Sequence, residues 1–333
     1  QNRKANMKVR VCVIGNGAFA GKVHFPSLLS FDEVEIVGII AFNKERLIST
    51  THRFGIPEKC IFPVSSVTGY QSVLLQLKPD AVYAIGAPEQ MFDVWVWCLE
   101  NRFNLYIEKP MGLTLHQAEI LAGLAEANHC ITQVSLQRRN MPLLHKMKEE
   151  CNKKGAITHA LVEFNKCEII PMKSARDRMH DDFIHCIDTA RWLMGGEVIR
   201  TESYCRRIGV DDINWISAHL YFDNGNTCHA IGNWSSGRRI FRVTMHAPGI
   251  CAEAEPEVEG RVYADGDIKG IRYSSTDIAG SNEPFIYGGF SAKNREFIQS
   301  VLTGKEITSS PFRDALKTMK ICETILAQSI LLK

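Results

Sequence analysis

The sequence predicts an α/β protein in two parts: an N-terminal parallel-sheet domain for a dinucleotide, then a C-terminal α/β domain built on a largely antiparallel open sheet. Three observations predict it. Val9 to Ile14 is an apolar, strand-length run that leads straight into Gly15-Asn16-Gly17-Ala18-Phe19-Ala20 and a helical pattern. Strand-sized apolar runs then alternate with helical patterns as far as His129, which is the texture of βαβ units on a parallel sheet. Beyond that point long alternating segments are separated by hairpin turns such as Asn224-Gly225, the strongest short-range hairpin signal.

Composition narrows the function classes. With 333 residues, 45% of them hydrophobic, the chain can bury a full core and is expected to form more than one domain. We read a Rossmann domain over 7–128, a substrate and oligomerisation domain over 129–311, and a closing helix within 312–333 that packs back on the first domain. Lys and Arg number 39 against 37 Asp and Glu, a net charge of +2. That balance carries no nucleic-acid or membrane-surface footprint, so a small molecule is the expected partner. The longest apolar runs, such as Val34 to Phe42, are strand-sized, far from the ~20 apolar residues that span a bilayer. Residues 1–6 read as a tail before Met7, without the apolar core of a signal peptide. The 11 cysteines, from Cys12 to Cys322 with no Cys-x-x-Cys pair, fit reduced thiols in a cytoplasmic protein.

Taken in order, the first strand and its glycine turn carry the cofactor argument. In G-x-G-x-x-A the first glycine permits the tight turn, and the second lets a pyrophosphate approach the backbone. The third small residue lets helix and strand pack closely, and the helix amides face the phosphates. Gly15, Asn16, Gly17, Ala18 and Phe19 are therefore cofactor candidates. The next strand, Glu35 to Ile40, should end in the acid that holds an NAD ribose, but Ala41 stands there, followed by Phe42-Asn43-Lys44-Glu45-Arg46. With no carboxylate to repel a 2′-phosphate and with Lys44 and Arg46 to receive it, NADP is favoured over NAD. The alternative is that both cations are first-turn helix residues facing water.

Ala81 to Ile85 is a buried strand, Gln90 to Asn101 a helix, and Asn104 to Ile107 the strand that delivers Glu108-Lys109-Pro110. Lys109 is thereby placed at the carboxyl end of a parallel strand, where open α/β sheets present their ligands, and Pro110 ends the ladder. Thr114 to His129 is a helix and Ile131 to Ser135 a strand. Ile157 to Phe164 alternates, and Ile216 to Phe222 pairs with Thr227 to Trp234 across Asp223-Asn224-Gly225-Asn226. A second hairpin joins Arg261–Ala264 to Ile268–Tyr273, and Phe312 to Leu332 is the closing helix.

A second chemical cluster runs from His180 to Asp188. Asp181, His185 and Asp188 fall at i, i+4 and i+7, one face of a regular helix. A histidine between two carboxylates can serve as a general acid or base near neutral pH. The competing reading is a histidine capped by its helical neighbours in a packing layer. A metal site is not expected, since His180, Asp181 and His185 lack a third close imidazole or thiolate on the same face.

With these motifs in order, the chain resembles the Gfo/Idh/MocA oxidoreductases from Val9 to the final helix. Gln137-Arg138-Arg139-Asn140-Met141-Pro142 and Asp181-Asp182-Phe183-Ile184-His185 are most similar to segments of its MviM-type members. The resemblance implies a Rossmann domain, a second domain whose open sheet often joins homo-oligomers, and hydride exchange between a nicotinamide and a carbinol carbon of a sugar or polyol. It implies that Lys109 holds the reacting oxygen, that His185 transfers the proton with Asp181 in the adjoining carboxylate position, and that the Lys109-Pro110 bond is cis. Arg138, Arg139, Asp182 and Asp188 are the implied substrate contacts. Ala87, Pro88 and Glu108 complete the cofactor set.

Two departures stand out. Family members often carry a histidine in the loop that here reads Ala87-Pro88-Glu89-Gln90-Met91-Phe92, and Ala41 replaces the ribose acid. His24 matches a common family histidine on the first helix, with packing or capping as its other reading. Rival functions are dinucleotide-linked regulation without turnover and redox-neutral sugar chemistry with a retained cofactor. Arg138, Arg139, Arg176 and Arg178 could suit a phosphorylated or acidic sugar, or could face solvent and make ion pairs.

Overall fold

The computed structural model describes residues 8–66, 68–170 and 173–330. The expected tail 1–6, Met7 and the end of the closing helix at 331 and 332 lie outside the described residues. Two compact units result: residues 1–136 with 290–316, and residues 137–289 with 317–333.

The first unit is a parallel sheet of β1 (Val9–Ile14), β2 (Val34–Ala41), β3 (Ile61–Pro63), β4 (Ala81–Ala84), β5 (Asn104–Ile107) and β6 (Thr132–Val134). Their order, β3-β2-β1-β4-β5-β6, reverses between β1 and β4. That reversal opens a crevice beyond the carboxyl ends of the two strands. The three-residue β3 is too short to leave a periodic trace in the sequence.

Val11, Val13, Tyr83 and Tyr106 are fully buried in the core of this unit. Tyr83 and Tyr106 stack at 4.5 Å, and Phe297 meets them edge-on at 5.5 and 5.6 Å. Phe297 comes from the helix Phe290–Thr303, which rejoins this unit from far along the chain. Gln133 fastens it by donating from Nε2 to Lys293 O and Glu296 Oε2, both at 3.1 Å.

The second unit is an eight-stranded sheet. Its strands are β7 (His159–Cys167), β8 (Val198–Arg206), β9 (Trp215–Phe222), β10 (Thr227–Asn233), β11 (Ser235–Ala247), β12 (Ile250–Glu255), β13 (Glu259–Ala264) and β14 (Ile271–Ser274). They lie in the order β14-β13-β12-β11-β7-β10-β9-β8, antiparallel except for the parallel pair β7 and β10. The Asn-Gly hairpin forms as expected, with Gly225 at φ +84°. The second hairpin differs. Asp267 accepts from Lys269 N at 3.0 Å and Gly270 N at 3.2 Å, which lengthens the turn. Ile268, expected in the strand, therefore sits in the loop and is 90% exposed.

One face of this sheet buries Ala160, Val162, Phe164, Ala218, Leu220, Val243 and Met245. The opposite face carries His246, His159, His229 and His219 on the neighbouring strands β11, β7, β10 and β9. The rings of His159 and His246 lie 5.7 Å apart, and those of His219 and His229 stack at 4.0 Å. Burial, and then the adjacent imidazoles, push His159 and His229 below the usual histidine range.

The closing helix is Phe312–Ile330. Phe312 N–H donates to Thr132 Oγ1 at 3.0 Å in the first unit. From Lys317 onward, where the sequence pattern has the helix packing on the first domain, it groups with the second unit. There Thr318 bonds Asp188, Glu323 pairs with Arg176, and Gln328 Nε2 donates to Thr201 O. All eleven cysteines are free thiols. Cys167 is exposed, and burial pushes Cys130 and Cys151 up to about 11. Among the described residues no helix is long and apolar enough to cross a membrane.

Two outcomes follow from this packing. Phe297→Ala empties a site with no solvent exposure and should cost about 3–5 kcal/mol in urea unfolding. His159 and His229 favour their neutral forms when folded, while an unfolded histidine titrates near ~6.5. Their contribution is present above that pH and is lost as pH falls through the lower folded values. Stability should decline on acidification from neutral pH, and His229→Gln should flatten part of that decline in denaturation series.

Candidate functional site

The glycine turn is fixed from both sides. Gly15 N–H donates to Ile40 O at 2.9 Å, and Ile85 N–H donates to Ile14 O at 2.8 Å. Gly15 has φ +98°, and a Cβ built on it would stand 2.1 Å from Ile85 O, so only glycine is accommodated. Gly17, exposed, would meet nothing within 4 Å, which leaves its backbone open to a ligand. Helical backbone begins at Ala18, with Ala18 and Phe19 exposed. Asn16 is buried. Its Oδ1 accepts from Thr50 Oγ1 at 2.8 Å, while its Nδ2 has no acceptor among the described residues. These features fit a dinucleotide pyrophosphate: an open backbone, a helix start and an unused buried donor.

Beside this turn, Ala41 is half-buried and Phe42, Asn43, Lys44 and Arg46 are exposed. Asn43 caps the helix Lys44–Phe54 by accepting from Arg46 N at 2.8 Å. Ala87 precedes Pro88, the first residue of the helix Pro88–Glu100. Met91, in the place of a histidine, is buried with its Cε 2.8 Å from a Cβ built on Gly86. It fills the space behind the turn.

In the same unit β5 ends at Ile107, and the Lys109-Pro110 bond is cis. Lys109 is half-buried. Glu108 accepts from His24 Nε2 at 2.7 Å, so it is held by His24 rather than merely ending a strand. His24 is fully buried against Tyr106, Phe19 and Tyr83. It sits in a π-helical turn, Ala20–His24, in which Phe25 N–H reaches back to Ala20 O.

A second π turn, Met179–Phe183, lies in the His180–Asp188 segment, where Ile184 N–H reaches Met179 O. This turn corrects the expected stripe. The extra residue in a π turn advances the phase of everything before it by about one position. Asp181 is consequently 51% exposed and pairs with Lys173 at 2.9 Å. Asp182 turns inward instead, accepting from Trp234 Nε1 at 2.7 Å and pairing with Lys166 at 2.8 Å. His185 is buried, with its ring 6.5 Å from that of Phe164.

Asp188 and Arg139, both expected to touch substrate, bind each other. Arg139 donates from Nε at 2.6 Å and from Nη2 at 2.5 Å, and Thr318 Oγ1 adds a bond at 3.0 Å. Both side chains are buried, and the pair is engaged within the protein. Arg138 is buried against Phe241 and Phe164.

Lys166, Trp234, Arg239 and Phe164 escaped the sequence analysis. Lys166 did leave a signal. It stands near the carboxyl end of an alternating strand, as Lys109 does in the other unit. Among the described residues no group of three or more possible metal ligands converges.

Sheet order and glycine turn define a protein of the dinucleotide-binding Rossmann class. Residues 9–136 match the model of an oxidoreductase family with an NAD-binding Rossmann fold, GFO_IDH_MocA, and residues 142–231 match the YceM-like C-terminal domain. The first domain is thus of the Gfo/Idh/MocA oxidoreductase type, with an NAD-binding Rossmann fold over residues 9–136. It is 22% identical to the YceM protein of Salmonella typhimurium over 238 residues, 72% of this chain and 69% of that one. Among solved structures it is similar in fold to a Gfo/Idh/MocA family oxidoreductase from Vibrio cholerae. The TM-score is 0.83 and the identity 20%, covering 98% of this chain and 100% of the other. UDP-N-acetylglucosamine 3-dehydrogenase GnnA from Acidithiobacillus ferrooxidans gives a TM-score of 0.78 at 17% identity, covering 97% and 98%.

The ion pair gives a direct test. Asp188→Ala leaves Arg139 buried without its carboxylate and should cost roughly 3–5 kcal/mol in urea unfolding. Asp188→Asn, which keeps one acceptor, should cost less.

Proposed function

We propose that this chain is an NAD(P)-dependent dehydrogenase or reductase acting on a carbinol or carbonyl carbon of a sugar-like or polyol substrate. The observation that carries it is the pairing, within one unit, of the open glycine turn at the end of β1 with Lys109 at the end of β5. The fold-level likeness to a sugar-nucleotide dehydrogenase supports the substrate class.

When bound, the nicotinamide supplies the hydride acceptor or donor. Oxidising an alcohol also requires the hydroxyl proton to leave, so the reaction needs a base and a cation for the growing charge on oxygen. In our reading Lys109 hydrogen-bonds that oxygen and His185 takes the proton. The reverse assignment, with Lys109 as base, requires an ammonium pKa lowered by burial. Asp181, exposed and salt-bridged to Lys173, is left out. Gly15, Asn16 and Gly17 would hold the pyrophosphate, and exposed Lys44 and Arg46 would receive a 2′-phosphate, which favours NADP.

Met91 packed behind the glycine turn favours a second reading, a dinucleotide-responsive regulator without turnover. Fluorescence titration with NADPH and NADH, followed by an absorbance screen of polyols and keto-sugars, separates the two. We expect NADPH to bind more tightly, Lys44→Ala to weaken it about tenfold, and Gly15→Ala to abolish binding of both nucleotides. Lys109→Ala and His185→Ala should lower kcat/KM by about 10²–10⁴ with nucleotide affinity retained. Tight binding without net nicotinamide turnover on a broad panel would overturn the dehydrogenase reading.

A further inference from the structure

Four arginines near the second cluster were open for recognising an anion, and three have the terminal nitrogens of their guanidinium groups bonded within their own unit, although Arg178 Nε has no acceptor among the described residues. Arg139 pairs with Asp188, Arg176 with Glu323, and Arg178 donates to Ile213 O and Ile170 O at 3.0 Å each. Arg138 differs. It is 4% exposed, and among the described residues its Nε and Nη1 meet no acceptor. Glu257 Oε1 comes only to 3.6 Å, and that carboxylate already takes bonds from Arg239 at 2.6 and 3.2 Å. The guanidinium lies 4.0 Å over Phe241 and 5.1 Å from Phe164. Such stacking stabilises a cation but offers its N–H groups no acceptor. Burial, the largest effect, lowers its pKa to about 10.

Phe164 is the meeting point of this cluster. Arg239 lies 5.4 Å and Lys166 5.5 Å from its ring centre, and His185 meets it edge-on. The segment that carries Arg138 is also held in place. Gly289, at φ +88°, lies so close to it that a Cβ would come 2.4 Å from Gln137 O and 2.9 Å from Met141 N.

We propose that Arg138 receives an anionic oxygen group, a carboxylate or phosphate, carried by the substrate, so that the substrate is an acidic sugar or polyol rather than a neutral one. This rests on the reading of His185 as the proton-transfer residue. A buried guanidinium with unused donors is costly until an anion joins it. An anion therefore gains more here than a neutral hydroxyl does. Arginine suits the task because its planar, weakly hydrated donors survive desolvation better than an ammonium.

The test is calorimetric titration of the full chain, with NADPH present, by D-glucuronate, D-glucose 6-phosphate and D-glucose. At least one anionic sugar should bind about tenfold or more tightly than glucose. Preference for glucuronate identifies a carboxylate, and preference for glucose 6-phosphate a phosphate. Arg138→Met should remove the preference, and Arg138→Lys, which keeps charge without the planar donors, should reduce it several-fold. Should the methionine variant not fold, the lysine variant decides, and an unchanged preference there overturns the proposal. Wild-type protein that binds the three sugars alike, or none of them, overturns it as well. The readout is binding, so an Arg138-dependent preference without turnover would remove the hydride-transfer reading and leave Arg138 as an anion-binding residue alone.

Discussion

The first unit depends on how closely its first turn approaches the neighbouring strand. A Cβ at Gly15 would lie 2.1 Å from Ile85 O, while Gly15 N–H is committed to Ile40 O. The backbone at the end of β1 is thus pinned between β2 and β4, where the strand order reverses. Because that position is rigid, Gly17 can present bare backbone to a ligand and the following helix can start at Ala18. The same constraint explains Met91: a side chain of adaptable shape fills the space left behind two glycines, Gly15 and Gly86.

Each candidate chemical cluster includes a π-helical turn, Ala20–His24 in one unit and Met179–Phe183 in the other. Such turns break the regular phase of a helix and place side chains that a 3.6-residue repeat cannot. In the first, His24 is turned fully inward to Glu108. In the second, Asp182 rather than Asp181 is the buried carboxylate. Both arrangements cost helix regularity and yield one well-oriented buried polar contact, between elements distant in sequence.

This also marks the limit of what could be read from the sequence. The parallel strands, the glycine turn and Lys109 at a strand end were legible because each rests on local pattern: an apolar run, a turn that needs glycine, a proline that stops a ladder. The Asn224-Gly225 hairpin was legible for the same reason. Asp181 was misplaced because a π turn has no sequence signature and period-based reasoning assumes none. Helix Phe290–Thr303 was not assigned to the first unit, since its link to that unit is tertiary, through Phe297 on two tyrosines and Gln133 on Lys293 and Glu296. Arg139 and Asp188 lie 49 positions apart, and no spacing rule indicates that two candidate substrate residues neutralise one another.

That neutralisation changes how charged residues in the second unit should be weighed. A motif rich in Arg and Asp suggests a polar site, yet most of these charges are already satisfied. Asp188 accepts from Arg139 and Thr318, Asp182 from Trp234 and Lys166, and Glu257 from Arg239. A group whose hydrogen-bonding capacity is used up inside the protein cannot gain much from a ligand, because the ligand would have to replace a bond of similar strength. Recognition is therefore expected where capacity remains. By that criterion, charge content is a poor guide to the site and unused donors are a better one: Asn16 Nδ2 beside the glycine turn, and Arg138 beside Phe164.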